Sequence, residues 1–182
     1  MSDLSHWVVR WLCHDLATPI ASVMTASELL DDVKPDAEIN ELVQSGAVRL
    51  TGRLRLVRLA LGAGENAMAS APLGRLVMAG LDGTSVDWQF SGDAIDGMAP
   101  LVAGCAMLVA DLNRTRALVV TVDGVAVPQG CNWPDSVAAV FAGAPASDNR
   151  SAVASMLLAT AERAGKTLSC DGNGLHWGLP PS

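Results

Sequence analysis

The chain has no tyrosine and only two phenylalanines in 182 residues, so with five tryptophans its hydrophobic half holds just seven aromatic side chains. No uninterrupted apolar run reaches the roughly 18 residues that a membrane-spanning helix needs, and no membrane partner is expected. Positive charge is scarce. Twelve Lys and Arg stand against nineteen Asp and Glu, for a net charge of −7 and a pI near 4.7, which argues against nucleic-acid binding. The segment Met1-Ser2-Asp3-Leu4 lacks the basic region of a secretory signal. The four cysteines (Cys13, Cys105, Cys131, Cys170) are scattered without metal-ligand spacing and read as small buried hydrophobes in a reducing cytoplasm. Two glycosylation-like triplets, at Asn113 and Asn149, therefore carry no weight. What is present suffices for one ordinary domain or two small ones.

The first informative stretch is Leu12-Cys13-His14-Asp15-Leu16-Ala17-Thr18-Pro19. It lies in a helix-periodic segment from Leu4 to Leu30. At about 100° per residue, Val8, Leu12, Leu16, Pro19, Val23 and Leu30 form one apolar stripe. His14 lies roughly 200° from Leu12, on the opposite side, with Thr18 one turn further. A helix with a well-packed back thus presents an imidazole to solvent. A surface histidine is commonly idle, but this one has company. Asp15 supplies a carboxylate able to hold one ring nitrogen and leave the other as nucleophile. Thr18 supplies a hydroxyl suited to a water or a phosphoryl oxygen. Pro19 removes a backbone donor and predicts a local bend.

A second helix is expected from Ala37 to Leu61, after a short connection at Lys34-Pro35-Asp36 with Asp36 as N-cap. It stops at Gly62-Ala63-Gly64. Ile39, Val43, Ala47, Leu50, Leu54, Val57 and Leu61 form its stripe. Two long helices with a short joint make an antiparallel hairpin. A hairpin alone buries one face poorly, so two copies are expected to pair into a four-helix bundle, giving a homodimer. Counting from the turn puts His14 level with Leu54. Arg49, Arg53, Arg55 and Arg58 gather near that level, a third of the twelve basic residues. They read either as a patch that supports a phosphoryl group or as a solvated helix face. Trp7 and Trp11 share the His14 side above it, where contact is expected. Ala21, Ser22 and Thr25 continue that side below, small enough to admit a partner helix.

The run His14-Asp15-Leu16-Ala17-Thr18-Pro19 resembles the phosphoacceptor box in the dimerisation hairpin of sensor histidine kinases. With Pro19-Ile20, Ser27-Glu28-Leu29-Leu30 and Arg58-Leu59-Ala60-Leu61-Gly62-Ala63, it is more closely similar to the ChpT-type histidine phosphotransferases of bacteria. That resemblance implies a cytoplasmic homodimer in which His14 is the catalytic residue. It would take a phosphoryl group from the receiver domain of a hybrid histidine kinase and pass it to a response regulator. Asp15 would orient or deprotonate the imidazole, Thr18 would handle water or phosphoryl oxygens, and Arg53 and Arg58 would offset charge. Ala21, Ser22 and Thr25 would dock the partner. No cofactor of its own is implied, since the partner's receiver domain supplies Mg2+. By the same analogy, the Trp7–Trp11 end packs against the C-terminal part.

Two parts are expected: a hairpin over 1–66 and an α/β unit over 72–182, joined by a linker at Ala67–Leu73. The second part alternates. Helices are expected at Leu73–Leu81, Met98–Leu112, Pro134–Phe141 and Asp148–Ala164. Strands are expected at Val86–Phe90, Ala117–Val122, Val125–Val127, Thr167–Cys170 and Leu175–Trp177. The fold class is α+β, in an order that resembles a reduced kinase ATP-binding domain. Its nucleotide chemistry reads as missing. The helix over 98–112 has no Asn-rich box, Asp123-Gly124-Val125-Ala126 replaces the family's Gly-rich loop, and Asp171-Gly172-Asn173-Gly174 fits a hairpin turn. Gly62-Ala63-Gly64 follows a helix, which is the wrong context for a dinucleotide fingerprint. Three alternatives stay open: a divergent kinase, a response-regulator phosphatase acting through Thr18, and a dimer that only binds and sequesters a partner.

Overall fold

The computed structural model describes residues 3–32, 37–64, 67–94, 97–113 and 117–180. Helices α1 (Asp3–Asp32) and α2 (Ala37–Ala60) pack against each other. The expected connection at Lys34-Pro35-Asp36, with its cap, lies outside the described residues. After the hairpin come β1 (Met68–Ala69), α3 (Ser70–Gly80), β2 (Ser85–Trp88), β3 (Asp93–Ala94) and α4 (Met98–Asn113). The chain continues with β4 (Ala117–Val120), β5 (Gly124–Ala126), α5 (Asp135–Phe141), α6 (Asn149–Arg163), β6 (Thr167–Cys170) and β7 (Gly174–Gly178). The protein is α+β. Among the described residues no helix is long and apolar enough to cross a membrane.

α1 runs through Pro19 without ending. Just beyond it the Ser22 hydroxyl donates to the Thr18 carbonyl at 3.1 Å, a back-bond of the kind that bends helices. α2 ends as its glycine predicts. Gly62 takes a φ of 73°, while the Ala63 and Gly62 amides donate to the Arg58 and Leu59 carbonyls at 2.9 Å. This is the paired-bond cap that only a left-handed residue completes without strain.

The stretch 67–73, expected as a linker, is structured instead. Met68–Ala69 pairs antiparallel with Asp93–Ala94, and α3 begins at Ser70 with Pro72 in its first turn. A proline there loses nothing, because the first amides of a helix have no partner inside it. The five-stranded sheet has the order β2-β4-β5-β7-β6. Only β2 and β4 run parallel; the remaining neighbours are antiparallel. Its strands alternate as a half-buried sheet must: Leu118, Val120, Val125, Leu168, Leu175 and Trp177 are buried.

α4 is buried at every position from Met98 to Ala110, as a helix apolar all round should be. It packs on α2, α6 and the middle strands. Leu56, Val57, Leu59 and Ala60 of α2 and Trp11 of α1 enter the same core cluster. Trp11, placed by periodicity on the His14 side where contact is expected, is covered, and α1 packs against α6 of the C-terminal part. The rest of the hairpin is less covered: Val8, Leu12, Leu16, Pro19 and Val23 are half-buried.

Candidate functional site

His14 is exposed on α1. Asp15, one residue and about 100° further round the helix, turns inward, and its side chain is only 14% exposed. There it meets Arg53 of α2. Arg53 Nε donates to Asp15 Oδ2 at 2.8 Å, and Nη2 donates to Asp15 Oδ1 at 2.5 Å, a bidentate fork. The same Nη2 donates to Asp111 Oδ2 at 2.7 Å, and Nη1 reaches the Gly80 carbonyl at 3.4 Å. One guanidinium, 13% exposed, thus ties α1, α2, α3 and α4 together at a single point.

The charges do not balance: two carboxylates share one cation. Burial pushes the Asp111 carboxyl up to about 6, and the Asp15 charge adds to this, while Arg53 pulls the other way. Removing the cation would leave the 14% exposed Asp15 carboxylate without its partner, the costlier loss, since Asp111 keeps a third of its side chain in water.

Beside the cluster lies a groove of about 1090 Å³. Its walls are Asp15, Thr18, Pro19, Ala21, Ser22 and Thr25 of α1 and Leu42, Ser45, Gly46, Arg49 and Arg53 of α2. Gly80 at the end of α3, the following Leu81–Thr84, and Ala110–Asp111 of α4 close it. At its rim Arg49 Nε pairs with Asp82 Oδ2 at 3.2 Å, both side chains more than half exposed, and such a pair adds little stability.

The structure therefore brings Asp15, Thr18, Ala21, Ser22, Thr25 and Arg53 to one groove, with His14 adjacent in the chain. It splits the four arginines that the sequence gathered. Arg49 and Arg53 face the groove, whereas Arg58, exposed, lies about 140° round the helix from Arg53 and does not line it. Arg53 differs from expectation too: its guanidinium already donates to two carboxylates. So does Asp15, whose two oxygens both accept from Arg53.

Sequence reasoning missed Asp111 and the loop Gly80–Thr84. Asp111 reads only as the polar end of an apolar helix, 58 residues from the arginine it pairs with, and no local pattern carries that pairing. At the far end of the sheet, Asp171 Oδ1 accepts from the Asn173 and Gly174 amides at 2.7 and 3.0 Å and pairs with His176 Nε2 at 3.2 Å. Asp171–Gly174 is thus the tight turn of the β6–β7 hairpin.

No family model matches the chain. Over 65 residues it is 31% identical to the protein phosphotransferase ChpT of Brucella abortus (strain 2308). That match covers 36% of this chain and spans about a third, 31%, of the relative's length. In fold, the chain is similar to a solved structure described as a bacterial phosphotransferase, with a TM-score of 0.76. The likeness covers 97% of this chain and 96% of that one at 20% sequence identity, so it speaks for a shared fold.

Proposed function

We propose that this protein is a histidine phosphotransferase. His14 accepts a phosphoryl group from the aspartyl phosphate of one receiver domain, on a hybrid histidine kinase, and gives it to the aspartate of a response regulator. The observation that carries this reading is the placement of His14. It is exposed on a helix whose neighbouring residues Asp15, Thr18, Ala21, Ser22 and Thr25 line a groove of about 1090 Å³, with His14 itself just outside the lining. The partial identity to ChpT supports it independently.

Phosphoryl transfer asks the carrier mainly for position and charge compensation. A neutral imidazole nitrogen attacks the phosphorus of the aspartyl phosphate and the carboxylate leaves; the return step reverses the two. Ala21, Ser22 and Thr25 form a small-residue wall for the docked receiver, which brings its own Mg2+. In this reading the hairpin over 1–66 carries the histidine, and the unit over 72–182 supports it and completes the docking groove.

The functional particle is a homodimer. Val9, Ile20 and Met24 are 52%, 42% and 58% exposed. They fall within about 60° of one another on α1, about 80–140° round the helix from His14. A second hairpin covering that face gives a four-helix bundle and leaves both histidines outward.

The test is transfer from a radiolabelled receiver domain to the wild type and to His14→Gln. Label on the wild type and background on the variant is the expected result; equal label on both overturns the reading. A second reading, response-regulator phosphatase, is favoured by one observation: the Thr18 side of α1 is exposed and lines the groove. Loss of regulator dephosphorylation in Thr18→Ala, with transfer to His14 retained, supports it.

A further inference from the structure

Asp15 follows the phosphoryl carrier directly, so it is the nearest carboxylate in sequence to the imidazole. A carboxylate that accepts one ring N–H selects the tautomer and leaves the other nitrogen basic. Yet both Asp15 oxygens accept from Arg53, at 2.8 and 2.5 Å. The fork is planar and pre-organised, and it is nearly closed to water, with exposures of 13% for Arg53 and 14% for Asp15. It is also held from behind. Arg53 Nη2 bonds Asp111 of α4 at 2.7 Å, and Nη1 reaches the Gly80 carbonyl of α3 at 3.4 Å. The guanidinium is thus bonded at once to α1, α3 and α4, so its direction depends on the C-terminal part of the chain as well as on Asp15.

We infer that Arg53 is a positioning residue of the phosphotransfer site: by taking both oxygens of Asp15 it withholds that carboxylate from the His14 imidazole. The inference rests on the reading of His14 as the carrier for its meaning, though not for its test. His14 then meets its partner as an unassisted imidazole, and Asp15 presents its charge to the groove wall instead. The C-terminal part, through Asp111 and Arg53, decides whether the histidine has a helper.

The test uses the full-length chain and the ring-nitrogen NMR signals of His14 at about pH 9, well above the ordinary imidazole range. His14→Gln identifies the signal among the three histidines. Asp15→Asn is expected to leave the His14 tautomer ratio as in the wild type. Arg53→Lys keeps the charge and loses the fork. It is expected to shift that ratio about fivefold, the weight of one ordinary net hydrogen bond. Arg53→Lys with Asp15→Asn is expected to restore it.

A shift in Asp15→Asn alone overturns the inference, since Asp15 would already hold the ring. So does an unchanged ratio in a folded Arg53→Lys, or a shift that persists in the double variant. If Arg53→Lys does not fold, the Asp15→Asn result decides. Labelling of the same proteins by phosphoramidate, a donor that needs no docking, is run alongside. Equal label on His14→Gln overturns the carrier reading while the tautomer ratios still decide the role of Arg53.

Discussion

Asp111, whose side chain is still 32% exposed beside Arg53, links folding to protonation. Its ordinary value is 3.8, and burial, with help from Asp15, raises it to about 6 in the folded chain. The folded protein therefore holds this proton longer than the unfolded one. As the pH rises from about 4 towards 6, the unfolded chain ionises first, and the stability contributed by this group falls through that window. Asp111→Asn, which keeps an acceptor for Arg53, removes that loss. Thermal melts of wild type and variant should show the variant gaining on the wild type between pH 4 and pH 7; a constant difference refutes the linkage. Thiol chemistry reads burial at single residues as well. Cys13 is exposed and Cys105 is buried, and burial raises the Cys105 thiol far above its ordinary value. Burial, with Asp171 nearby, pushes Cys131 up to about 11. A thiol-disulfide reagent at neutral pH should therefore modify Cys13 first, Cys131 slowly, and Cys105 only after unfolding, as peptide mapping would show.

At the scale of elements, α2 carries two jobs on one helix. Its first half stands in the hairpin, while its second half is inserted into the core between α3 and α4. The α2–α3 crossing is close enough that a Cβ on Gly52 would collide with the Ala79 carbonyl, and one on Gly80 would meet Leu56 Cβ at 2.5 Å. Arg53 reaches the Gly80 carbonyl because its neighbour Gly52 lets the two helices approach. Leu56→Ala removes a side chain with no exposed surface at this crossing and is expected to cost about 2–5 kcal/mol in denaturant melts. α6 offers a gentler test. Asp148 accepts from the Ser151 amide at 2.8 Å, and Ser151 Oγ accepts in return from the Asp148 amide at 2.9 Å. Asp148→Ala should cost about 0.5–2 kcal/mol without changing the groove.

For the whole molecule, the exposed Val9, Ile20 and Met24 on the outer face of α1 are the surface on which the proposed pairing of two copies depends. If two hairpins pair as proposed, Ile20→Asp places a charge in that seam. It should convert the particle to a monomer in light scattering while the α+β unit keeps its circular dichroism. A dimer that survives the substitution would put the interface elsewhere.

Much of this architecture is written in local pattern. Helical periodicity placed α1 and α2, the Gly62 stop, the buried α4 and the exposed His14, because side-chain direction on a helix follows from residue spacing alone. Alternation and turn residues placed the strands of the main sheet for the same reason. What local pattern could not contain is contact across long separations. The pairing of β1 with β3 is built from two residues each, too short to carry a period. The burial of Trp11 depends on α6, and the capture of Asp15 by Arg53, itself steered by Asp111, depends on four helices meeting at one point. The sequence by itself determined which side of α1 the histidine occupies. Only the tertiary structure decided which of its neighbours are free to help it, because a side chain's partners are chosen by packing between elements and not by its own helix.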